Sequence, residues 1–270
     1  MTPFPQPRQV MVRRRPLLVA SQHYPQWWDL VEAGRWEPLL FELFDKFVQP
    51  GSIVVDVGGW IGCTPLYCAH LAGKVYAFEP DISALKILRL NFALNPQLAG
   101  KITLFEAGLG TMDGQVALFN HAPGNSGSSL LAFDTAKTAL PSCDTITLLD
   151  ARRFLQVINL QQVSVLKVDI EGAEYDLIEY IAPLLQEFKP TLILSFHPLK
   201  LGGKGSAIDD DFYRLARSVA LCQALAHYPY VFHESNGSLA RRNDKAHLLN
   251  ELKAKGFIDG CVTFSYHPGW

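Results

Sequence analysis

Four acids and one histidine stand at or near the ends of short apolar runs in this sequence. Asp56 lies in SIVVDV, Glu79 ends KVYAFE, Glu106 lies in KITLFEA, Asp169 ends VSVLKVD and His197 ends TLILSFH. Such apolar runs are typical of parallel strands covered on both faces, whose carboxyl ends meet at one edge of a sheet. We therefore expect these side chains to meet at a ligand-binding edge. There, carboxylates can accept hydrogen bonds and a histidine can exchange a proton near neutral pH.

Three closely spaced glycines follow the first of these predicted strands. In VVDVGGWIGCTPLYCAH they are Gly58, Gly59 and Gly62, on either side of Trp60 and Ile61. Glycine permits positive φ and has no Cβ to block a ligand lying across the loop. The Thr and Pro that follow predict a helix N-terminus, whose free N–H groups point to the same place. A bound cofactor explains the glycines, but their spacing differs from the GxGxxG of dinucleotide sites.

Glu79, in AFEPD, follows Gly62 by 17 residues and ends the second predicted strand. An acid at this place can accept hydrogen bonds from both hydroxyls of a ribose. Alone, a glycine-rich turn is often only a turn, and an acid at a strand end is often a helix N-cap. Together, on consecutive strands, the two signals favour an adenosine cofactor without a diphosphate.

Alternating strands and helices predict how these residues are held. Helical patterns at 64–72, 82–94 and 173–188 separate the apolar runs. This order implies right-handed crossovers and an α/β fold with a Rossmann-like, doubly wound, mostly parallel sheet in the strand order 3-2-1-4-5. The other predicted features are a hairpin with a turn at TMDG (111–114), a Gly/Ser loop (123–129), a strand (144–150), a helix from about Ala151, a hairpin turn at ESNG (234–237), a helix (244–255) and a strand in CVTFSY (261–266).

Two domains are expected, an N-terminal helical cap over 1–50 and a Rossmann-like domain over 51–270. Residues 26–48 have helical apolar spacing and end at a Pro-Gly pair. The cap contains three tryptophans, Trp27, Trp28 and Trp36. One interpretation makes them core or interface residues, and the other makes them substrate contacts.

Composition limits the classes of partner. The 270 residues contain 24 basic and 26 acidic side chains, so no broad positive charge favours nucleic acid or an anionic membrane. No apolar stretch approaches the roughly 18 residues of a membrane helix. The five cysteines are odd in number and lack a CxxC pair, which fits neither a disulfide framework nor a cysteine zinc site. A cytoplasmic protein without membrane insertion is expected.

Several motifs together resemble the FkbM-type S-adenosylmethionine-dependent methyltransferases. The similarity is carried, in order and spacing, by VVDVGGWIG (54–62), AFEPDISALKILRLNFALN (77–95), the hairpin with GNSGSSL (124–130), TLLDARRFL (147–155) and LKVDIEGAEYDLI (166–178). It covers roughly residues 36–198. Two positions depart from the family pattern: Trp60 stands where Asn is usual, and Ser195 where the fifth strand often ends in Glu.

The resemblance implies S-adenosyl-L-methionine as methyl donor, bound above the first and second strands. The implied donor site consists of Asp56, Gly58, Gly59, Trp60, Gly62, Glu79, Pro80, Glu106, Ala107 and Asp169. Among these, Asp56, Gly58 and Gly62 would surround the methionine part and Glu79 would bind the ribose. Glu106 and Ala107 would flank the adenine.

Methyl transfer from a sulfonium is an SN2 displacement in which alignment dominates. His197 is the candidate general base, Asp169 would position the donor, and Glu171 could contact the substrate or replace the histidine as base. The alternatives are a structural histidine and, for Asp169, a cap of the helix beginning near Gly172. The remaining histidines lack a metal-ligand spacing such as HExxH, so no metal is expected.

The predicted function is methyl transfer to an oxygen or nitrogen of a small molecule, sugar or peptide side chain, in specialised metabolite or glycan modification. A nicotinamide-dependent oxidoreductase and a non-catalytic nucleotide-binding protein of the same fold are the alternatives. The expected partner is a small-molecule or peptide acceptor, with no nucleic acid, and a homodimer is left open.

Overall fold

Thirteen strands and nine α-helices lie within the residues that the computed structural model describes, which are 7–120, 126–131, 142–158, 160–202, 207–235, 238–239, 245–258 and 260–268. The strands are β1 (Arg8–Val12), β2 (Arg15–Val19), β3 (Ile53–Val57), β4 (Lys74–Phe78), β5 (Ile102–Phe105), β6 (Gly108–Gly110), β7 (Gly114–Asn120), β8 (Ser142–Asp150), β9 (Val163–Val168), β10 (Thr191–Phe196), β11 (Tyr230–Ser235), β12 (Ser238–Leu239) and β13 (Gly260–Ser265). The helices are α1 (Pro25–Glu32), α2 (Pro38–Phe47), α3 (Cys63–Leu71), α4 (Ile82–Leu94), α5 (Pro96–Ala99), α6 (Ala151–Val157), α7 (Glu174–Phe188), α8 (Ala207–Ala224) and α9 (Lys245–Lys255).

The central sheet has the strand order β12-β11-β13-β10-β9-β3-β4-β5. Its five strands from β10 to β5 pair in parallel, which confirms the predicted order 3-2-1-4-5 and the doubly wound α/β class. The antiparallel strand β13 lies between β10 and β11. The carboxyl ends of β3, β4, β9 and β10 therefore lie side by side.

Apolar side chains cover both faces of this sheet. Val55 and Val57 of β3 belong to a buried cluster with residues of α6, α7 and α8. Val54, which points to the opposite face, belongs to a second cluster with residues of α2 and α3. Every residue of β3 is buried, as expected for a central parallel strand.

The N-terminal 50 residues contain more than helix. A β-hairpin, β1 paired with β2, precedes α1 and α2 and was not predicted. Its turn places Arg13 and Arg14 at φ 43° and 71°, without the Asn or Gly that normally signals such a turn. The helical pattern over 26–48 is divided into two helices between Gly34 and Glu37, which have φ of 63° and 38°.

The segment after β5 forms a separate three-stranded sheet in the order β6-β8-β7. The TMDG turn connects β6 to β7, but both strands pair with β8 and not with each other. The predicted strand at 144–150 and the helix from Ala151 are present as β8 and α6. Residues 123–125 of the predicted Gly/Ser loop lie outside the described residues.

At the C-terminal end, β11 pairs with β12 in antiparallel fashion on either side of the predicted hairpin turn, whose residues 236–237 lie outside the described part. The predicted helix and last strand are α9 and β13. Among the described residues, no helix has both the length and the apolar character needed to cross a bilayer.

Candidate active site

A cavity of about 360 Å³ lies at the carboxyl edge of the sheet. Its wall is formed by the glycine loop after β3, the loop after β4, the insert, the segment after β9 and the end of β10. The insert is the three-stranded sheet β6-β8-β7 together with residues 126–131, which lie between β7 and β8 in the chain. Eight of the predicted site residues line it: Gly58, Gly59, Trp60, Glu79, Pro80, Asp169, Glu171 and His197. Four do not: Asp56, Gly62, Glu106 and Ala107.

The glycine loop is held against both neighbouring strands. Backbone N–H groups of Gly58 and Gly59 donate to the carbonyl oxygen of Phe78, at 3.0 and 2.9 Å. Gly58 has φ of 92°, and a Cβ there would collide with the carbonyl oxygen of Asp169. Gly62, with φ of 93°, is the N-cap residue immediately before α3, and a Cβ there would lie 3.2 Å from the Phe92 ring. Glycine is thus required for the loop's own packing as well as for an open ligand face.

Glu79 is a buried carboxylate at the end of β4. Its Oε2 accepts a hydrogen bond from the backbone N–H of Trp60 at 2.7 Å, and its Oε1 accepts one from that of Asp81 at 2.8 Å. Burial raises the pKa of Glu79 to about 7, although these two hydrogen bonds oppose the rise. Because a carboxylate offers about four acceptor positions, acceptor capacity is left on both oxygens.

Asp56 lies beneath the loop and is fully buried. It accepts a hydrogen bond from Thr64 Oγ1 at 2.6 Å, and its Oδ1 lies 3.2 Å from Lys167 Nζ. Burial raises the pKa of Asp56, opposed chiefly by the Lys167 charge. Lys167 donates to the carbonyl oxygen of Gly58 at 2.8 Å and lies 3.6 Å from Asp169. Asp56 therefore supports the loop through Lys167 and does not face the cavity.

Lys167 is nearly as buried as its partner, yet it keeps its charge. Burial lowers its pKa, but the charges of Asp56 and Asp169 outweigh burial and hold the pKa above its usual value. A charged ammonium group at this place links the glycine loop of β3 to the acid that ends β9. Lys167 therefore pairs with two neighbouring acids, Asp56 and Asp169.

Asp169, Glu171 and His197 are brought together at one end of the cavity. His197 Nε2 lies 3.5 Å from Asp169 Oδ1 and 3.6 Å from Glu171 Oε1. On the other side of the ring, Nδ1 lies 3.2 Å from Glu174, which is fully buried and also accepts from the His197 backbone N–H at 2.8 Å. The predicted catalytic residues thus form one cluster.

The surroundings of His197 oppose its predicted role as a general base. Burial lowers its pKa, but the hydrogen bond to Glu174 and the charges of Asp169 and Glu171 outweigh burial and raise the pKa to about 9. A general base must be unprotonated to accept a proton, whereas this imidazole is protonated at neutral pH when nothing else is bound.

The insert covers the cavity next to this cluster. These contacts were not predicted from the sequence. Ser129 Oγ donates to the carbonyl oxygen of Glu171 at 2.5 Å, and Ser128 Oγ donates to Asp81 at 2.7 Å. Lys200 Nζ lies 3.2 Å from Glu171 and donates to the carbonyl oxygen of Gly127 at 3.1 Å. The GNSGSSL stretch was the available signal, because its serines can bind backbone and carboxylate groups.

Two tryptophans form part of the cavity wall near the glycine loop, Trp36 and Trp60. Trp60 packs edge-on against Trp27, with ring centroids 4.8 Å apart, and Trp27 packs similarly against Trp36 at 4.6 Å. Trp28 is completely buried. Of the three cap tryptophans, Trp28 is therefore a core residue and only Trp36 reaches the cavity.

The two residues expected to flank the adenine, Glu106 and Ala107, do not line the cavity. Glu106 is exposed and pairs with Arg89, while Ala107 is buried away from the cavity. Gly108 and Leu109, the next two residues, line the cavity together with apolar side chains of β7 and β8. The parallel pairing of β6 with β8 carries the wall beyond the end of β5.

Comparison with known proteins gives a family match over most of the chain. The family model described as Methyltransferase FkbM domain matches residues 56–258. Methyltransferase 1 of Beauveria bassiana is 33% identical over 147 residues, which are 47% of this chain and 57% of that protein. Ribosomal protein L11 methyltransferase of Carboxydothermus hydrogenoformans is 42% identical over 69 residues, 25% of this chain and 22% of that protein. This chain therefore spans less than two thirds of either relative.

Among solved structures, methyltransferase FkbM from Methylobacillus flagellatus is 15% identical, with 88% of this chain and 52% of that one covered and a TM-score of 0.44. A Streptococcus mutans protein solved in complex with SAH is 9% identical, with 84% and 96% covered and a TM-score of 0.41. Similarity at this level does not bear on the acceptor. The family match over residues 56–258 shows that this chain belongs to the FkbM methyltransferase domain family, which uses S-adenosylmethionine as methyl donor.

Proposed function

We propose that this methyltransferase binds S-adenosylmethionine in the cavity at the carboxyl edge of the sheet and methylates an oxygen or nitrogen of a small molecule, sugar or peptide side chain. The observation that carries the proposal is the convergence of a glycine loop and a buried acid on one enclosed space. Gly58 and Gly59 remove side chains from one wall, and Glu79 ends the adjacent strand within the same cavity.

The position of the nucleoside follows from these two features. The free acceptor positions of Glu79 would receive the two ribose hydroxyls, as acids at this place do in nucleotide-binding sheets. The adenine would lie against Leu109, Ile146 and Leu148, apolar side chains of the cavity wall. An apolar wall with few polar groups is typical of small-molecule sites.

The methionine part would then extend over the glycine loop toward Asp169. One oxygen of this carboxylate lies 3.6 Å from Lys167 Nζ, so the side chain is oriented before any ligand arrives. A negative charge at this point would favour the donor's amino group and its sulfonium, which is the role that the resemblance implied for Asp169. The acceptor would approach from the other side, past Glu171, Ser195 and His197.

The experiment is incubation of the protein with S-adenosylmethionine carrying a labelled methyl group and a panel of hydroxyl- and amine-bearing sugars, polyketide-type molecules, lipids and peptides. Mass spectrometry should detect a labelled product with at least one acceptor class. Titration with S-adenosylhomocysteine should show binding, and titration with NAD should not. Binding of NAD in place of both sulfur compounds, by folded protein, would favour the oxidoreductase alternative instead.

The dependence of donor affinity on Asp169 supplies a second test. Asp169→Asn keeps the shape of the side chain but removes its charge, so affinity for the donor should fall. Asp176→Asn is a matched control, because Asp176 is largely exposed and lies on the surface of α7 beside Arg217. Equal donor affinities for the two variants would remove Asp169 from the donor site.

A further inference from the structure

Three potential metal ligands face one point beside the proposed methyl-transfer site. They come from Asp169, Glu171 and His197, and their ligating atoms all lie within 4.8 Å of one another. The distances from His197 Nε2 to the two carboxylate oxygens are 3.5 and 3.6 Å. Cis ligands of a six-coordinate ion at about 2.0–2.1 Å are about 2.8–3.0 Å apart, so each carboxylate oxygen would move closer to the imidazole nitrogen by roughly 0.5–0.8 Å to share one ion with it.

Each of the two carboxylates is oriented by a lysine on its far side. Asp169 presents Oδ2 to Lys167 and Oδ1 to His197 Nε2. Glu171 presents Oε2 to Lys200 and Oε1 to the same nitrogen. Lys167 and Lys200 thus each hold one oxygen and direct the other toward the shared point.

The imidazole is oriented in the manner usual for a metal-ligating histidine. Its Nδ1 lies 3.2 Å from Glu174, and a carboxylate there holds the proton on Nδ1 and leaves the Nε2 lone pair for a metal. Glu174 is fully buried and also accepts hydrogen bonds from the backbone N–H groups of Gly172 and His197, at 2.7 and 2.8 Å. The ring therefore cannot turn without breaking a buried network.

The charges around this point leave a negative excess. The network contains four carboxylates and two ammonium groups: Asp56, Asp169, Glu171, Glu174, Lys167 and Lys200. With a neutral imidazole, four negative and two positive charges leave two negative charges unbalanced. One divalent cation would balance them.

From this geometry we propose that Asp169, Glu171 and His197 bind a divalent metal ion of the Mg²⁺ or Mn²⁺ type at the acceptor end of the cavity. The two carboxylate oxygens suit both ions, and the imidazole nitrogen favours Mn²⁺ over Mg²⁺; either ion prefers six ligands and would keep three positions for water or acceptor oxygen.

The catalytic consequence rests on the proposed function. An acceptor hydroxyl bound to the ion would release its proton to water more readily, because the cation stabilises the alkoxide. The alkoxide oxygen would then form the new bond to the methyl carbon while the carbon–sulfur bond breaks and its electron pair stays on sulfur. The sulfonium becomes a neutral thioether, so charge and atoms balance without any further reactant.

Binding of Mn²⁺ to the full chain, followed by electron paramagnetic resonance in the absence of donor and acceptor, tests the site directly. The wild type should bind one Mn²⁺, with nitrogen coupling from the imidazole, and excess Mg²⁺ should displace it. Glu171→Gln and His197→Gln should each weaken binding by at least about tenfold, and His197→Gln should abolish the nitrogen coupling. Glu187→Gln, which changes an exposed acid at the far end of α7, should bind as the wild type does.

Each outcome separates this inference from the proposed function, because S-adenosylhomocysteine affinity is measured on the same samples. Absence of Mn²⁺ binding at millimolar metal, with S-adenosylhomocysteine still bound, overturns the metal site and leaves the methyltransferase site intact. Mn²⁺ bound equally well by Glu171→Gln and His197→Gln also overturns it. Mn²⁺ bound by the wild type alone, in protein that fails to bind S-adenosylhomocysteine, supports the metal site and contradicts the donor site.

Discussion

Replacement of Glu79 by glutamine should weaken donor binding far more than its small change in shape suggests. In the wild type, both carboxylate oxygens already accept backbone hydrogen bonds, from Trp60 and Asp81 at 2.7 and 2.8 Å. An amide can present its oxygen to only one of these N–H groups. Its NH₂ group must then face the other N–H group, donor against donor, inside a buried site.

The magnitude follows from the interactions that remain. A hydrogen bond to a charged group contributes about 1.5–3 kcal/mol, and a neutral one about 0.5–1.5 kcal/mol. Glu79→Gln converts one charge-assisted ribose bond into a neutral bond and removes the other. We therefore expect a loss of about 2–4 kcal/mol in binding free energy, which is a decrease in affinity of roughly 30- to 1,000-fold.

Calorimetric titration with S-adenosylhomocysteine at about pH 8 is the assay, because the wild-type carboxylate, with a pKa of about 7, is then ionised. Glu106→Gln is the matched control: this acid is exposed, pairs with Arg89 and does not line the cavity. The control should bind like the wild type. If Glu79→Gln is folded and its affinity lies within about threefold of the wild type, the ribose is not bound by Glu79.

Three further predictions concern the loop, its support and pH. Gly58→Ala should lower the free energy of unfolding by about 2–5 kcal/mol in urea titrations, because its Cβ would overlap a backbone carbonyl at positive φ. The control Gly34→Ala has open space around the new Cβ and should lower this free energy less. Equal losses for the two variants would mean that the glycine loop relaxes freely. Lys167→Met should lower the free energy of unfolding by about 3–5 kcal/mol near neutral pH, because it leaves the buried Asp56 without its cation. The loss should be smaller in mild acid, where Asp56, whose pKa is raised by burial, can become neutral. A loss of stability that does not change with pH would show that Asp56 does not depend on the lysine. Wild-type affinity for S-adenosylhomocysteine should rise with pH up to about 7 and then level off, because Glu79 must lose its proton to accept hydrogen bonds from the ribose. Calorimetry below this pH should detect protons released on binding. An affinity that does not change with pH below about 7 would exclude this coupling.

Much of the sheet and of the cavity wall could be predicted from local sequence. The glycines at 58, 59 and 62 and the acid at 79 occupy loops whose requirements are local: positive φ, absence of a Cβ, and a strand end. The strand order followed from the alternation of apolar runs and helices, because right-handed crossovers leave few arrangements.

The remaining features depend on pairings between distant residues. The turn of β1 and β2 uses Arg13 and Arg14, which carry no turn signal, and the hairpin is stabilised by packing against α1 and α4. Strand β13 lies between β10 and β11 because it pairs with residues far away in the chain, and the periodicity of the sequence does not indicate such pairings.

His197 shows the same limit within the site. Its strand-end position was predictable, but its protonation depends on Glu174, Asp169 and Glu171, which lie 23 to 28 positions away in the chain. A residue type suggests a role in catalysis, and only the surrounding charges decide whether it can accept a proton, keep one or bind a metal.

The position of the donor can be seen in a crystal structure of the protein with S-adenosylhomocysteine. We expect the ribose hydroxyls within hydrogen-bond distance of Glu79, the homocysteine chain over Gly58 and Gly59, and the sulfur facing Asp169 and His197. A nucleoside bound outside this cavity, or inside it with the ribose away from Glu79, would refute the proposed donor site.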